Sequence, residues 1–403
     1  MFLTKSDYKV GRQCPTKLFY KKHRYPSLNE GNPYLAFLAD GGYMVETMAK
    51  LLYPKGREMG HWGDPLKAFA QTKKAVQSGG VLFEATVLNG KMMARMDILE
   101  MEGNKLRLIE VKSSSVNSEE DGSNPFRGAR GGIKSTWRPY LEDVAFQAWV
   151  LGNAFPDLEI IPMLCVVDKA KEATKDTVCQ QFRLEESGDE NRRGCPDISF
   201  LGDADSLRAN HLLSIIDVSE EVAELTPEVA RIAEELASSL NGDTCKKIPQ
   251  PLSYKCKQCE YRVAKEEKQN GFSECWNDLP EVEHHVLDLY RVDLAGGRDN
   301  DIVGNMVAQG QSSILDVPSG FLTGQAAHRQ EIQIDCCRTG THLIDPALPE
   351  LLDSCAYPLH FIDFEGSRVS LPYHEGMHPY EQALFQWSCH TILKPGGRLK
   401  HNE

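Results

Sequence analysis

The stretch that decides the fold is Met92–Lys112, MMARMDILEMEGNKLRLIEVK. Two strand-like runs flank Gly103-Asn104, a dipeptide that suits the two-residue loop of a β-hairpin. This loop predicts that Asp97 lies directly opposite Glu110, where opposed Cβ atoms are about 4.5–5.5 Å apart. Lys112 follows Glu110 by two residues and therefore points to the same face. Two ionised carboxylates this close repel each other unless a cation lies between them, so the pattern predicts a metal site.

The composition excludes several classes of protein. A chain of 403 residues with 41% apolar content predicts two or three domains with real cores. A net charge of −13 argues against a protein that coats nucleic acid, although a local basic groove remains compatible with it. The sequence has neither an apolar run of 18 residues nor a signal-peptide core, so we expect no membrane partner and a cytoplasmic location. In that compartment its 12 cysteines are expected to be metal ligands or core residues rather than disulfides.

Two segments are locally basic. Residues 1–25 contain seven lysine and arginine residues but only one acid, which suits either a solvated helix face or a contact with a DNA backbone. Residues 124–140 contain no acid and are predicted to form a loop, which suits either a polyanionic substrate or a plain linker. The basic residues of this loop are Arg127, Arg130, Lys134 and Arg138.

Four helices are predicted from caps and periodicity. The first starts at Ser6 or Asp7 and runs toward Tyr20, with Cys14-Pro15 inside it. The second and third cover residues 35–53 and 141–152, both with an apolar stripe. The fourth covers residues 226–240, with Thr226 as its cap and Pro227 at its first position.

Five side chains from these elements form a candidate catalytic group. Glu46 falls near the apolar stripe of the second helix, where an acid is costly to bury unless positive charge meets it. Gln147 lies beside the apolar face of the third helix, within reach of a site beneath it. With Asp97 and Glu110 they offer the hard oxygen ligands that Mg²⁺ prefers. Lys112 is expected to orient or deprotonate a water, or to stabilise an anionic transition state.

These residues resemble a known nuclease motif. Asp97 followed by Glu110-Val111-Lys112 is similar to the PD-(D/E)XK motif, and Gln147 in AFQAWVL is similar to the glutamine motif of its RecB-like branch, with Leu151 where that branch has an aromatic residue. Glu46 lies where the branch has a ligand on its first helix. The opening LTKSDYKVGRQCPTKLFY resembles that of CRISPR-associated RecB-like exonucleases. The resemblance implies a restriction-endonuclease-like mixed sheet flanked by helices, with Mg²⁺ or Mn²⁺ held by the three acids.

The cysteines extend the resemblance. In iron–sulfur RecB-like nucleases, one cysteine near the start of the domain and three near its end bind a [4Fe–4S] cluster. The resemblance therefore implies a cluster on Cys14, Cys256, Cys259 and Cys275. The spacing from Cys259 to Cys275 is longer than in that family, and two alternatives stay open. One is a zinc site on Cys245, Cys256, Cys259 and Cys275, and the other is a pair of plain thiols in the C-x-x-C sequence.

A second acidic motif lies near the end of the sequence. Asp363-Phe364-Glu365 places two carboxylates on one face of a predicted strand, a common start of a two-metal site. The surrounding run PLHFIDFEGSRVSLPY resembles the beginning of an uncharacterised bacterial domain that is similar to DEDD-type, ribonuclease H-like exonucleases. The later acids of that fold do not follow before residue 403, so we expect an incomplete second site. An edge-strand acid pair is the alternative.

Together these patterns predict three parts. Residues 1–278 form a RecB-like α/β nuclease domain with a cysteine-bound cluster, residues 279–355 a helical connector, and residues 356–403 the incomplete start of a ribonuclease H-like domain. The expected activity is metal-dependent hydrolysis of phosphodiester bonds, as an exonuclease on single-stranded DNA ends. The alternatives are a non-catalytic nucleic-acid-binding module and a zinc-stabilised interaction protein.

Overall fold

The computed structural model describes residues 1–60, 63–122, 124–187, 196–295 and 301–403. The chain divides into two compact units that interleave along the sequence. The first comprises Met1–Leu18, Asn32–Lys247 and Gly366–Phe385, and the second Phe19–Gly31, Ile248–Glu365 and Gln386–Glu403. The domain limits expected at residues 278 and 355 stay predictions.

The elements are numbered along the chain. The strands are β1 (Leu3–Thr4), β2 (Arg57–Glu58), β3 (Gly80–Asn89), β4 (Met92–Glu102), β5 (Lys105–Val116), β6 (Glu159–Asp168), β7 (Phe182–Glu185), β8 (Asp197–Phe200), β9 (Leu213–Asp217), β10 (Leu240–Asn241), β11 (Thr244–Cys245), β12 (Leu359–Ser367), β13 (Ala383–Ile392) and β14 (Leu399–Asn402). The α-helices are α1 (Lys5–Gln13), α2 (Pro15–Lys22), α3 (Pro33–Leu51), α4 (Pro65–Gln77), α5 (Arg138–Ala154), α6 (Ala204–Ala209), α7 (Ser219–Ser238), α8 (Gly271–Trp276), α9 (Ile302–Ala308), α10 (Ala327–Thr339) and α11 (Leu348–Asp353).

A mixed seven-stranded sheet lies at the centre of the first unit. Its order is β2-β3-β4-β5-β6-β9, with the short β1 paired in parallel to β4. β4 and β5 are antiparallel, β5 and β6 are parallel, and β6 and β9 are antiparallel. Helix α3 packs against β5, while α5 packs against β3, β4 and β6. The expected α/β architecture, a mixed sheet flanked by helices, is therefore confirmed at this level.

The β4–β5 hairpin has the predicted register. Gly103 adopts a positive φ of 62°, as the first residue of such a loop requires. Five residue pairs, from Glu102–Lys105 to Ile98–Ile109, follow the register that a two-residue loop imposes. The regular pairing ends there, one position before Asp97 and Glu110.

The predicted N-terminal helix is wrong at both ends. It starts after Thr4, because the Thr4 hydroxyl accepts a hydrogen bond from the Asp7 N–H while the Asp7 carboxylate accepts one from the Thr4 N–H. It then breaks at Cys14, whose backbone is extended. A residue before proline avoids the helical region, and Pro15 suits the first position of the new helix α2.

The other three predicted helices exist, with one wrong boundary. Helices α3 and α5 cover the predicted segments, and α3 continues through Gly41-Gly42 without a break. Helix α7 starts at Ser219 rather than after Thr226, and Pro227 lies inside it. Two glutamates in its first turn favour the earlier start, because acids stabilise helix N-termini. The Thr226 hydroxyl donates to the Val222 carbonyl oxygen instead of capping the helix.

The hairpin contributes to the core through alternate residues. Ile98, Ile109 and Val111 are buried in an apolar cluster that also contains Val45 and Met48 of α3. Burial of each such side chain contributes about 1.5–3 kcal/mol to stability. Asp97 and Glu110 alternate with these residues along their strands, so the same pleat that buries the isoleucines directs the acids away from this cluster.

The second unit has a core of its own. Most of this core comes from residues 276–334, the larger part of the segment predicted as a helical connector, and includes Trp276, Leu287, Ile302 and Ile334. The C-terminal strands form a three-stranded sheet in the order β12-β13-β14. Within the described residues, no helix has both the length and the apolar character needed to cross a membrane.

Candidate functional site

Glu110 is the central residue of the candidate site. Its side chain is completely buried in the first unit. One carboxylate oxygen, Oε1, lies 2.6 Å from the Lys5 Nζ and 2.5 Å from the Lys112 Nζ, and Oε2 accepts a hydrogen bond of 2.6 Å from the Gln147 Nε2. Burial raises the pKa of Glu110, but the ammonium groups of Lys112 and Lys5 outweigh it and lower this pKa well below its ordinary value. Glu110 is therefore an anion.

The pKa of Asp97 is shifted in the opposite direction from that of Glu110. Its Oδ2 accepts a hydrogen bond of 2.8 Å from the Val111 N–H, which fixes the carboxyl group beside β5. Burial raises the pKa of Asp97 to about 7, and the nearby Glu110 carboxylate adds to the increase. Adjacent carboxyl groups with pKa values displaced in opposite directions are typical of functional sites.

Lys112 lies between two acids. Its Nζ contacts Glu110 and is also 3.3 Å from the Asp143 Oδ2 of helix α5. Burial lowers the pKa of Lys112, but Glu110 and Asp143 raise it further, so the net shift is upward. The side chain is therefore an ammonium, which suits orientation of a water or stabilisation of negative charge better than removal of a proton.

Asp143 is a site residue that sequence analysis missed. It lies one turn before Gln147 on α5, and its side chain is completely buried. Among the described residues the Asp143 carboxylate makes no hydrogen bond and is held by ion pairs, with the Lys112 and Lys9 Nζ atoms 3.3 and 3.6 Å from Oδ2, whereas the Gln147 Oε1 has no donor. Buried acceptors without donors indicate a place where a cation or a ligand donor fits. The i, i+4 spacing of Asp143 and Gln147 was the available sequence signal.

Glu46 belongs to a second group of charges around Lys50. The Lys50 Nζ lies 2.8 Å from Glu46, 2.9 Å from Glu84 and 3.2 Å from Glu58. Burial and the Glu84 carboxylate raise the pKa of Glu46 to about 7. Glu46 also raises the pKa of Asp97, which shows that the two acids are electrostatically linked.

Glu84 is a second residue that the sequence did not reveal. It lies in β3 between the pairs Phe83–Ile98 and Ala85–Met96, so its position in the register faces Asp97. Its φ is 54°, a left-handed conformation that costs a non-glycine residue about 1–3 kcal/mol. No sequence pattern predicts a left-handed backbone conformation at a glutamate within a strand.

The basic N-terminal segment faces this site. Lys5 and Lys9 of α1 contact Glu110 and Asp143, at 2.6 and 3.6 Å, and Arg12 pairs with Glu142 of α5. These three cations share one face of α1 because they are spaced by four and three residues. Neither expectation for this segment, a solvated face or a DNA contact, anticipated that its cations pair with the acids of the site.

Three of the four cations predicted to lie in the basic loop are engaged within the first unit, and one of them, Arg138, is the first residue of α5. Arg127 pairs with Glu221 and Glu224 of α7, at 2.5 and 2.9 Å. Arg138 pairs with Glu142 and Glu228, and the Lys134 Nζ donates to the Pro125 carbonyl oxygen. The loop therefore balances acidic side chains of α7, which the sequence did not suggest.

The donor chemistry of the site fits a hard divalent cation. Glu46, Asp97 and Glu110 supply carboxylate oxygens, Asp143 adds a carboxylate that ion pairs with Lys112 and Lys9, and the buried Gln147 Oε1 lacks a donor among the residues that the structure describes. Within the described parts of the chain, no three histidine, cysteine or acidic side chains form a ready-made cage for a metal ion. Around Glu110 and Glu46, lysine ammonium groups lie against the carboxylates.

The predicted cysteine ligands are distributed over both units. Cys14 lies between α1 and α2 in the first unit, where the buried Cys245 of the zinc alternative also lies. Cys256, Cys259 and Cys275 belong to the second unit. There, Cys256 and Cys275 pack against the apolar core, and the Cys275 Sγ is 3.1 Å from the Tyr20 hydroxyl. The shared cluster stays a prediction.

The second acidic motif lies on the predicted strand. Asp363 and Glu365 are two residues apart in β12, which places them on one face, and both are exposed. Their neighbours Phe361 and Phe364 are also exposed.

Comparisons with known proteins add one family match. Residues 360–403, which include β12–β14, match the family described as "Domain of unknown function (DUF2779)". No curated protein matches the chain. A solved structure described as "Crystal structure of SSO0001" aligns with 51% of this chain and 67% of its own, at 13% identity and a TM-score of 0.19. That score is too low to support an argument about the fold.

Proposed function

We propose that the first unit is a restriction-endonuclease-like, metal-dependent nuclease that hydrolyses phosphodiester bonds, with single-stranded DNA ends as the substrate. The observation that carries the proposal is that Lys112 and Gln147 both donate to the buried Glu110 carboxylate, while the Val111 N–H holds Asp97 beside the same strand of a mixed sheet. Each of these residues was selected from the sequence alone. Their contacts fit a site that binds a metal ion and stabilises negative charge on a phosphate.

The roles follow from the contacts. Glu46, Asp97 and Glu110 would hold Mg²⁺ or Mn²⁺, which, when bound, polarises the phosphate and activates a water. Lys112, kept as an ammonium by Glu110 and Asp143, orients that water and stabilises charge that develops on the phosphoryl oxygens. Gln147 donates to the Glu110 Oε2 and so fixes the rotamer of this carboxylate.

The proton balance is simple. The attacking water gives a proton to bulk solvent as its oxygen bonds to phosphorus, the bond from phosphorus to the leaving oxygen breaks, and the leaving oxygen takes up a proton from solvent.

One anaerobic preparation of the full chain tests the proposal. End-labelled single-stranded DNA and RNA are incubated with Mg²⁺ or Mn²⁺, and iron, zinc and visible absorbance are measured on the same sample. We expect wild type to shorten the labelled DNA, and Glu110→Gln and Lys112→Ala to lose at least about 100-fold in rate. We also expect iron with broad visible absorbance, from a cluster on Cys14, Cys256, Cys259 and Cys275.

A matched control is available on the same hairpin. Glu100 pairs with Arg107 across the strands, with an Arg107 Nη1 to Glu100 Oε2 distance of 2.5 Å and neither residue in the candidate site. Glu100→Gln should retain wild-type cleavage. Equal cleavage by wild type and Glu110→Gln would refute the assigned site. Binding without cleavage would favour the nucleic-acid-binding alternative, and a colourless sample with zinc would favour the interaction protein.

A further inference from the structure

Lys5 is a cation at the site that the PD-(D/E)XK-like motif does not include. It is the first residue of α1, and its Nζ lies 2.6 Å from the same Glu110 oxygen that contacts Lys112. Its backbone position is fixed from both sides. On one side Leu3 of β1 pairs with Met92 of β4, and on the other the reciprocal Thr4–Asp7 hydrogen bonds cap α1. The contact is therefore part of the architecture of the site.

The two lysines on Glu110 differ in what else they contact. Lys112 has a second acidic partner, Asp143, at 3.3 Å. Lys5 has Glu110 as its ion-pair partner, and its side chain is 23% exposed. The two side chains are similarly exposed, 23% for Lys5 and 16% for Lys112, so the second acid is what distinguishes them: Lys112 keeps Asp143 if it leaves Glu110, whereas Lys5 on its flexible stem would turn to solvent.

A divalent cation at Glu110 changes this balance. The Glu110 carboxylate, which receives both ammonium groups, is also one of the groups that would hold a metal ion. Three cations on a single carboxylate repel one another, so the arrival of the metal favours departure of the lysine with the least other support. That lysine is Lys5.

We propose that Lys5 is an internal cation that competes with the divalent metal for Glu110 and thereby sets the metal affinity of the site. The inference rests on the proposed function, because it needs Glu110 to be a metal ligand. Lys5 keeps the buried carboxylate neutralised in the metal-free protein. It leaves Glu110 for solvent when the metal binds, and Lys112 stays with Asp143.

Calorimetric titration of the full chain with Mn²⁺ tests the inference without any measurement of activity. Lys5→Met removes the charge and keeps the apolar stem, and Lys5→Gln keeps a hydrogen-bond donor toward Glu110. Both variants should bind Mn²⁺ between about 5-fold and 100-fold more tightly than wild type, the usual range for coupling between two bound groups. Lys5→Arg keeps the charge and should bind Mn²⁺ close to wild type.

Lys105→Met is a matched control outside the site. The Lys105 Nζ pairs with Glu159, at 3.6 Å, and with no described residue of the site, so its loss should leave Mn²⁺ affinity close to that of wild type. Metal-free melting temperatures of all variants, followed by circular dichroism, verify that each is folded. We expect Mn²⁺ to raise the melting temperature of Lys5→Gln more than that of wild type.

The outcomes separate the two proposals. If wild type binds Mn²⁺ and both Lys5→Met and Lys5→Gln bind it with unchanged or weaker affinity, the role of Lys5 is refuted while the nuclease proposal stands. If wild type binds no Mn²⁺ at the site, the proposed function and the role of Lys5 both fall.

Discussion

Replacement of Asp97 by asparagine tests the electrostatics of the site independently of activity. Burial and Glu110 raise the pKa of Asp97 from 3.8 to about 7. Between these two pH values the folded protein binds more protons than the unfolded chain, so this group makes stability fall as pH rises. The slope is about 1.4 kcal/mol per pH unit, and it ends once pH exceeds the folded-state value.

The asparagine variant lacks this penalty. Its side-chain oxygen still accepts the hydrogen bond from the Val111 N–H, so the local geometry is kept. Relative to wild type, Asp97→Asn should therefore gain about 3 kcal/mol in free energy of unfolding between pH 5 and pH 8, with most of the gain before pH 7.

Glu110→Gln should behave in the opposite way. The lowered pKa of Glu110 means that its charge stabilises the fold at every pH above its ordinary value of 4.5. The variant leaves Lys5 and Lys112 against a neutral buried group, and loss of one partner of a buried ion pair costs about 3–5 kcal/mol. Because the Glu110 charge also raises the pKa of Asp97, Asp97 ionises more easily in the variant, and the cost should decrease between pH 5 and pH 8.

Urea denaturation with EDTA present, followed by circular dichroism at pH 5, 6, 7 and 8, measures both effects. Glu100→Gln serves as the control, because its partly exposed pair with Arg107 should contribute at most about 1 kcal/mol. The reasoning is refuted if Asp97→Asn destabilises at pH 8 as much as Glu110→Gln does. A difference between wild type and Asp97→Asn that does not vary with pH would refute it equally.

Two further substitutions test the residues that only the structure revealed. Asp143→Asn should lower the rate constant for cleavage about 10- to 100-fold with little change in KM, because Lys112 loses the acid that orients it; a proportional rise in KM instead would argue against this role. Glu84→Ala should cost about 1–3 kcal/mol in free energy of unfolding, and Glu58→Ala at most about 1 kcal/mol. Both glutamates contact Lys50, but the Glu84 side chain is 13% exposed and that of Glu58 62%. Equal costs in chemical denaturation would contradict that ranking.

Local rules account for the parts of the site that were predicted. Gly103-Asn104 selects a two-residue loop, and that loop sets the β4–β5 register residue by residue. Helical periodicity placed Gln147 at the edge of a buried face, where it reaches Glu110. In both cases the geometry of a single hairpin or helix determines which way the side chain points, so its position can be predicted by counting residues along the sequence.

The missed residues depend on contacts that local rules do not describe. Lys5 reaches Glu110 across 105 positions of sequence, through the pairing of β1 with β4. Glu84 required a left-handed backbone within a strand, which propensity argues against. The break at Cys14 was predictable from Pro15, and the two glutamates in the first turn of α7 were a local signal for its early start that the choice of Pro227 as first position overlooked.

The junction of β1 and α1 contains no linker, since the strand ends at Thr4 and the helix begins at Lys5. The pairing of β1 with the sheet therefore fixes the direction in which each side chain of α1 points. An α-helix turns by about 100° per residue, so one residue inserted or deleted at this junction would rotate the whole basic face away from α5 and the hairpin. A change in the length of this junction would therefore separate Lys5, Lys9 and Arg12 from their acids in one step.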